Sequence, residues 1–513
     1  MINIENIANK SIILNFLYKL LIWIRKNYET SFTSYALGKL CEKIRLYCSH
    51  SKICTYLSKS NYLDRLWANS LICNYLAKYI NMPGNYLKKI YLKNEIIFSH
   101  SYVFKFIKFI SEKFEFVLGF ALTIIMIIPD HRWYNAYGVL ITILLALLLF
   151  IKTIIEPSAT IDTENLDFTF ILFFASIIMA AATSLFPKDS LNYLIQYMTA
   201  FIAVIIIVSS MKNVDNLNTV IEFAVLAVFL TSLYGIWQWK VVGIEVNPSL
   251  TDVTVNRGMT GRVYSTMGNP NVYGELLVLI MPFFGTVIFN AKSFMKKIIY
   301  AFLFVPVLVI LLKTGSRSAW VAFAFAVFVF VFFKNKKLLP FLIIAGILAI
   351  PFLPPSIYKR ILTLFNPNDT SLKYRKQILE PAMPMLRDYW FNGVGLGNKV
   401  FNIIYKRYKP FTLKTVAHTH NLYIQIWLEA GIAAIISIVW FIFRILRKSV
   451  ISIMNKKDTN INNILIAAIS GLSGILIMGF ADHIWFYNRI LFMFWVVVAI
   501  IISSIKLLNM ENS

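Results

Sequence analysis

The feature that most constrains this chain is a series of apolar runs that recurs from residue 114 almost to the carboxyl terminus. Each run is close to the length that an α-helix needs to cross a hydrocarbon core of about 30 Å. Inside a bilayer a helix satisfies its own backbone hydrogen bonds, so spanning segments of this kind are helical. The sequence therefore predicts an all-α polytopic membrane protein with about twelve transmembrane helices. The predicted spans are residues 114–129, 134–152, 166–186, 190–210, 217–239, 272–290, 298–313, 317–333, 338–354, 421–446, 463–481 and 484–505.

The composition supports this class and indicates possible partners. Of the 513 residues, 58% are hydrophobic and 15% are charged, which is too apolar for a soluble protein of this length. The formal net charge is +25, from 50 basic and 25 acidic side chains. In a membrane protein such an excess typically lies in cytoplasmic loops beside anionic lipids. Anionic lipids are therefore predicted partners, and nucleic acid is not.

The basic residues also predict the orientation of the chain. With the amino terminus in the cytoplasm, three basic clusters fall on the cytoplasmic side, as the positive-inside rule requires. The short loops 129–133, 187–189 and 482–483 then fall on the opposite side. Both termini are predicted to be cytoplasmic, with residues 506–513 as a short tail. The clusters are Lys292, Lys296 and Lys297; Lys334, Lys336 and Lys337; and Arg444, Arg447, Lys448, Lys456 and Lys457.

Residues 1–113 form a basic extension ahead of the predicted membrane domain, 114–505. The extension holds 17 basic and 6 acidic residues, and its apolar residues recur at helical spacing. One such segment covers residues 37–48. A second covers residues 62–80, and the Pro83-Gly84 pair predicts its end. These features predict amphipathic helices that lie on the cytoplasmic leaflet.

Two loops on the predicted outer side are long. The first covers residues 240–271. The second covers residues 355–420 and carries eleven basic but only three acidic residues. A basic loop on the outer side runs against the positive-inside rule, although loops beyond about 60 residues are exempt from it. An anionic ligand bound at the outer face would explain the excess of positive charge.

Three arginines are candidates for binding that anion. Arg262 lies in a loop that leads directly into a span. Arg317 lies in a hydrophilic hinge between two spans, where its planar fork suits phosphate oxygens, although an arginine that merely snorkels to the interface would give the same pattern. Arg375 lies on a predicted amphipathic helix, 372–388. The glycine run at 393–397 predicts a tight turn rather than a dinucleotide-binding motif.

The most distinctive polar group precedes the tenth span. His420 and Asn421 stand before a run apolar enough to enter the membrane, where polar groups are costly unless they bind something. The alternative is that the pair only caps the helix at the water interface. Asn421, Gln425 and Glu429 recur at intervals of four residues and form one polar stripe on a helix. Gly431 returns to the face of His420, where it would let a neighbouring helix pack closely.

Other chemistries lack the residues that they need. His418 and His420 could bind a metal ion, but no further ligands cluster near them in the sequence, so neither a metal nor another cofactor is predicted. The chain also lacks the sequence of a nucleotide-binding phosphate loop and that of a serine nucleophile elbow.

Four short blocks in a fixed order resemble the bacterial O-antigen ligase and O-antigen (capsule) polymerase superfamily. The likeness covers residues 261–431, and the hydrophobic profile extends it over 114–505. The resemblance implies about twelve spans and a large outer loop, similar to the C-type glycosyltransferase architecture. The chain departs from the ligase form of the motif at Ala434, where that form has glycine, threonine or tyrosine. The blocks are Gly261-Arg262 with Gly268-Asn-Pro-Asn271, Gly315-Ser-Arg317, Gly393-Val-Gly-Leu-Gly397, and His420-Asn421 with Gly431.

The resemblance also implies an activity and roles for the candidate residues. Members of this family transfer a glycan from an undecaprenyl-diphosphate carrier to an acceptor hydroxyl outside the bacterial cytoplasmic membrane, without a metal. Arg262, Arg317 and Arg375 would hold the diphosphate. His420 would be the catalytic base, and direct displacement would invert the anomeric centre. The acceptor is a glycan, a lipid or a protein, so the choice between ligase and polymerase stays open.

The remaining candidates would support this site, and one rival function uses the same residues. Asn421 and Glu429 would position the helix or a sugar hydroxyl, and Gly431 would allow close packing beneath His420. A transporter or flippase of lipid-linked oligosaccharide would use the same cationic pocket without a base. Inverted repeats with paired broken helices would favour the transporter, and none is evident in the sequence.

Overall fold

The computed structural model describes residues 61–246, 261–352, 355–362, 370–410, 416–455 and 460–510, together with the isolated positions 39, 42, 43 and 46. The described chain is built from α-helices joined by turns and short 3₁₀ or π segments, and no β-strand occurs within it. The α-helices are α1 (Asn61–Ala68), α2 (Leu71–Lys93), α3 (Glu95–His100), α4 (Tyr102–Glu112), α5 (Phe114–Ile127), α6 (Asn135–Ile155), α7 (Phe168–Ala182), α8 (Pro187–Ser210), α9 (Val214–Trp237), α10 (Pro270–Ile280), α11 (Pro282–Asn290), α12 (Phe294–Lys313), α13 (Arg317–Asn335), α14 (Leu339–Ala349), α15 (Pro355–Leu362), α16 (Thr370–Asp388), α17 (Asn398–Tyr405), α18 (Leu422–Asn455), α19 (Asn460–Met478) and α20 (Asn488–Met510).

Nine helical segments in this part of the chain are long and apolar enough to cross a membrane, and the predicted all-α polytopic class is confirmed. The shorter apolar helices α5 and α7 coincide with two further predicted spans. The nine segments are Asn135–Ile155, Pro187–Ser210, Val214–Val242, Pro270–Asn290, Phe294–Lys313, Arg317–Leu348, Leu422–Asn455, Asn460–Met478 and Asn488–Met510.

The predicted span 338–354 differs from the others. Its helix, α14, has 11 residues and follows α13 through the 3₁₀ turn Lys336–Leu338. At 1.5 Å per residue, α14 is about 16 Å long, which is too short to cross the hydrocarbon core by itself. Apolar composition alone did not reveal this limit, because the run of apolar residues continues beyond the helix.

The centre of the bundle is formed by α10, α19 and α20, whose side chains are buried almost throughout. Close approach of α19 to α10 depends on Gly471, because a Cβ there would lie 2.4 Å from the carbonyl oxygen of Leu279. The peripheral helices α6 and α12 instead expose apolar side chains such as Leu144 and Phe302. Such exposure is expected of helices that face lipid.

The described part of the amino-terminal extension consists of α1 to α4, and the predicted segment 37–48 lies almost entirely outside the described residues. The prediction that Pro83-Gly84 ends a helix is wrong, since α2 runs through both residues. Gly84 is buried there, and a Cβ would lie 2.9 Å from the hydroxyl oxygen of Thr153 on α6. Close packing against the membrane domain thus outweighs the local tendency of this pair to form a turn.

The predicted outer loop 355–420 contains α15, α16 and α17 and is only partly a loop. The predicted amphipathic helix 372–388 is confirmed by α16. Its apolar face packs on α17 around Ile378, Met385 and Phe401, which are fully buried in a small second core. This core supports the segment that carries Arg375.

Candidate active site

His420 lies immediately before α18 and is bonded to Asp482, which lies between α19 and α20. The distance from His420 Nδ1 to Asp482 Oδ1 is 3.0 Å. Since a carboxylate can only accept, Nδ1 carries the proton and Nε2 is left as the acceptor nitrogen. The His420 side chain is 26% exposed and that of Asp482 only 9%. An oriented, accessible imidazole with a buried carboxylate partner is the arrangement of a general base.

The backbone of His420 adopts a conformation that is uncommon outside glycine, with φ at +52°. Its N–H donates to Nδ1 of His418 at 3.2 Å, and the N–H of Thr419 donates to Oε1 of Gln425 at 2.8 Å. Burial, together with the charge of His420, lowers the pKa of His418 to about 4. His418 is therefore neutral at pH 7 and serves as an acceptor that holds the turn.

Asp482 is ionised despite its burial. Burial alone would raise the pKa of Asp482, but the hydrogen bond from His420 and the positive charge of Arg375 help to hold that pKa well below its usual range. The same Oδ1 accepts the backbone N–H of His483 at 2.9 Å. A fixed negative charge thus lies beside the imidazole at every physiological pH.

Sequence reasoning missed Asp482 as a site residue, because it noted residues 482–483 only as a short loop. The residue is 62 positions from His420, and only the packing of α18 against α19 brings the two together. One signal was available: an acidic residue at the end of an apolar span is costly unless it has a partner.

The charges of the other two predicted arginines, Arg317 and Arg375, act on Arg262, and so does that of a fourth arginine, Arg360. Burial lowers the pKa of Arg262 to about 9, and repulsion from Arg360, Arg317 and Arg375 adds to this effect, while Asp482 opposes it. Arg262 remains charged at pH 7. We call these four residues the arginine cluster. Sequence reasoning did not single out Arg360, whose segment showed no motif.

The hinge before α13 orients two members of the arginine cluster. Arg262 Nε donates to the carbonyl oxygen of Thr314 at 2.7 Å, and Arg360 Nε donates to that of Gly315 at 3.3 Å. Gly315 has φ at +60°, which favours glycine and lets the hinge present both carbonyls. Arg375 links the cluster to the histidine pair, since its charge acts on Arg262, Asp482 and His418 alike.

Helix α18 breaks at Gly431, so the expectation that Gly431 lies on the face of His420 along one continuous helix is wrong. Gly431 has φ at +75°, and His420 precedes the helix rather than belonging to it. A Cβ at Gly431 would lie 2.0 Å from the carbonyl oxygen of Phe391. The close packing predicted at this glycine does exist, but its partner is the segment that follows α16.

The glycine run 393–397 occupies the break in α18. The backbone N–H of Val394 donates to the carbonyl of Leu428 at 2.8 Å, and that of Gly395 donates to Glu429 at 3.0 Å. The break would otherwise leave these two helix carbonyls without donors, which is costly inside a bundle. The backbone N–H of Ile432 donates to the carbonyl oxygen of Phe391 at 3.2 Å. The predicted turn therefore holds the end of the first half of α18 in place through these backbone hydrogen bonds.

The polar stripe predicted on α18 exists over its first turns. Gln425 Nε2 donates to the buried carboxylate of Glu429, at Oε1, at 2.7 Å. With the Thr419 contact, this chain of hydrogen bonds runs from Glu429 to the residue beside His420. Asn421 caps the helix, since its Oδ1 accepts the N–H of Ile424 at 3.0 Å. The capping alternative therefore applies to Asn421, whereas His420 pairs with Asp482.

Asp482 adds a third potential metal ligand to the two histidines. His418, His420 and Asp482 each offer one ligand atom, and these atoms lie within 4.8 Å of one another. Two observations disfavour a cation here. The imidazole and carboxylate already satisfy each other at 3.0 Å, and the neighbouring arginine cluster would repel a divalent ion. The absence of a metal stays a prediction.

One segment of the chain matches a known protein family. Residues 301–446 match the family model described as O-antigen ligase. The matched segment contains Arg317, Arg360, Arg375 and His420, whereas Arg262 and Asp482 lie outside it. None of the curated proteins compared with the chain matches it. The match confirms the resemblance to the ligase and polymerase superfamily, and it supports ligase- or polymerase-type activity in general terms.

Proposed function

We propose that this membrane protein, whose residues 301–446 match the O-antigen ligase family model, is a glycosyltransferase that acts on a lipid-linked glycan. It transfers the glycan from an undecaprenyl-diphosphate carrier to an acceptor hydroxyl at the outer face of the bacterial cytoplasmic membrane. The observation that supports this most directly is the His420–Asp482 pair, at 3.0 Å, beside the arginine cluster. A base and a polyanion site are the two elements that the reaction requires.

In the proposed reaction His420 Nε2 takes the proton of the acceptor hydroxyl. The hydroxyl oxygen attacks the anomeric carbon of the donor, and the bond from that carbon to the carrier diphosphate breaks. Its electron pair leaves on the undecaprenyl diphosphate, and the anomeric configuration inverts. Asp482 holds Nδ1–H towards itself and stabilises the imidazolium that forms, as the carboxylate does in hydrolase triads.

The arginine cluster supplies the electrostatic part of the proposal. Four guanidinium groups close together repel one another, and the lowered pKa of Arg262 reports that repulsion together with its burial. A bound diphosphate would relieve the repulsion, and the interaction would strengthen as negative charge develops on the leaving group. Planar guanidinium forks also match phosphate oxygens bidentately.

The acceptor distinguishes a ligase from a polymerase, and Ala434 is the position that departs from the ligase motif. Ala434 is fully buried in the bundle, beyond the break at Gly431. A side chain at this position is enclosed by the hydrophobic core. We therefore propose that this position reflects helix packing and carries no information on whether a glycan, a lipid or a protein is the acceptor.

The test uses purified protein, a carrier-linked glycan and candidate acceptors, with release of undecaprenyl diphosphate as the readout. We expect wild type to release the carrier and transfer the glycan, and His420→Ala to lose about 10²–10⁴-fold in rate. Chelation with EDTA should leave the rate unchanged. Transfer by His420→Ala at the wild-type rate contradicts the base assignment. Movement of intact donor across liposomes without cleavage favours the flippase instead.

A further inference from the structure

A cavity lies at the other end of the bundle from His420. Its volume is about 540 Å³, which is within the usual range for small-molecule sites. His420 precedes α18, whereas the cavity is lined by residues near the end of that helix, among them Lys448 and Ser452. From the break at Gly431 to Lys448, α18 alone rises about 26 Å at 1.5 Å per residue. The cavity is therefore separate from the candidate active site.

The cavity combines basic side chains with apolar walls. Arg65, Arg447, Lys448 and Lys506 line it, against two acidic side chains, Glu164 and Asp167. The walls between them are apolar side chains of α18 and α20, namely Phe441, Ile445, Ile451, Ile502, Ile505 and Leu508. A ligand that fits both parts has an anionic head and a hydrocarbon body.

Two acidic groups of this region, Asp162 and Asp167, are paired with basic side chains, whereas Glu164 also lines the cavity and has no ion pair among the described residues. Asp167 accepts from Arg444 at 2.9 Å and from Lys448 at 2.8 Å. Although burial would raise the pKa of Asp167, these two cations lower it to about 2. Lys506 pairs with Asp162 at 2.8 Å. Among the described residues, the cavity lining and these partners comprise five basic and three acidic side chains, an excess of positive charge that favours an anion.

One wall of the cavity comes from the amino-terminal extension. Arg65, Trp67 and Ala68 of α1 line it, opposite α18 and α20. The buried indole Nε1 of Trp67 has no hydrogen-bond partner among the described residues. A donor in this position would suit a phosphate or ester oxygen. The extension thus supplies a cation and an indole to a site that the membrane helices alone would leave open.

We propose that this cavity binds an anionic phospholipid. Its phosphate lies among Arg65, Arg447 and Lys448, and part of an acyl chain lies against the apolar walls of α18 and α20. Basic pockets between membrane helices are typical sites for anionic lipid head groups. The bound lipid joins the extension to the membrane domain, which gives α1 a function that does not depend on glycan transfer.

The test measures lipid binding to the full-length protein in an uncharged detergent. Delipidated protein is titrated with phosphatidylglycerol, with phosphatidylcholine of the same chains, and with inorganic phosphate. Native mass spectrometry reports bound lipid, and thermal unfolding reports stabilisation. We expect phosphatidylglycerol to bind and raise the Tm, and the other two ligands to do neither.

Two variants and one control locate the binding. Arg65→Gln should weaken phosphatidylglycerol binding about five-fold, the usual contribution of one basic residue beside an anionic lipid. Ser452→Trp should abolish binding by filling the cavity. Lys292→Gln removes an exposed charge from the loop before α12, away from the cavity, and should bind as wild type does. Unchanged binding by both Arg65→Gln and Ser452→Trp, equal binding of phosphatidylcholine, or equal stabilisation by phosphate alone would overturn the lipid assignment.

Discussion

Replacing Asp482 by asparagine is the most informative perturbation of the proposed site. The substitution keeps the size of the side chain and removes the negative charge that faces His420 Nδ1 at 3.0 Å. In the proposed reaction His420 becomes positively charged in the transition state, so the interaction is stronger there than in the ground state. Only interactions of that kind accelerate the chemical step.

The size of the effect follows from the geometry. Two unit charges 3.0 Å apart attract by about 5.5 kcal/mol at an effective dielectric constant of 20, and by about half as much at 40. The 26% exposure of His420 favours a value between these limits. A loss of about 3–5 kcal/mol corresponds to a decrease of about 10²–10⁴-fold in kcat.

The assay is glycan transfer at saturating donor, with kcat and KM determined separately. We expect Asp482→Asn to lower kcat and to leave the KM for the donor within about three-fold, since the carboxylate acts on the imidazole and not on the carrier. Asp189→Asn is a matched control, because Asp189 is also an acid at a helix end and pairs with Lys399 at 2.6 Å. Its kcat should equal that of wild type. A normal kcat in Asp482→Asn, or a defect confined to KM, refutes the reasoning.

Three further predictions test the supporting structure. Arg360→Gln should lower kcat/KM for the donor about 10–100-fold, as loss of a charged hydrogen-bonding group typically does, whereas Arg387→Gln, an exposed residue of α16, should have no effect. Gly431→Ala should lower the Tm by several degrees or prevent folding, since a Cβ would meet the Phe391 carbonyl at 2.0 Å and φ is +75°. Gly346→Ala, in open space within α14, should keep or slightly raise the wild-type Tm. Because the folded pKa of Asp167 is about 2, below the ordinary 3.8, its pairing should stabilise the protein by about 2 kcal/mol above pH 4 and lose that contribution as the pH falls towards 2. Thermal unfolding of wild type and Asp167→Asn over this pH range measures that difference, and parallel pH profiles for the two would contradict it.

Helix α18 shows which structural features a local sequence pattern can predict and which it cannot. The period of four residues correctly predicted that Gln425 and Glu429 share one face, because helical geometry alone decides that relation. The break at Gly431 was not predictable from the local sequence. The carbonyls of Leu428 and Glu429 that the break exposes accept hydrogen bonds from Val394 and Gly395, which lie more than thirty positions earlier. A glycine in a helical pattern is locally compatible with both a continuous and a broken helix. Only the partner segment decides between them.

The sequence by itself determined the membrane class, the positions of most spans, the amphipathic helix α16 and three of the four clustered arginines. Each of these depends on hydrophobicity, periodicity or a short motif, which are properties of neighbouring residues. The tertiary structure alone decided that Asp482 is the partner of His420, that Arg360 joins the arginine cluster, and that Pro83-Gly84 lies inside a helix. These facts depend on contacts between residues far apart in the chain, where burial and charge pairing outweigh local preference.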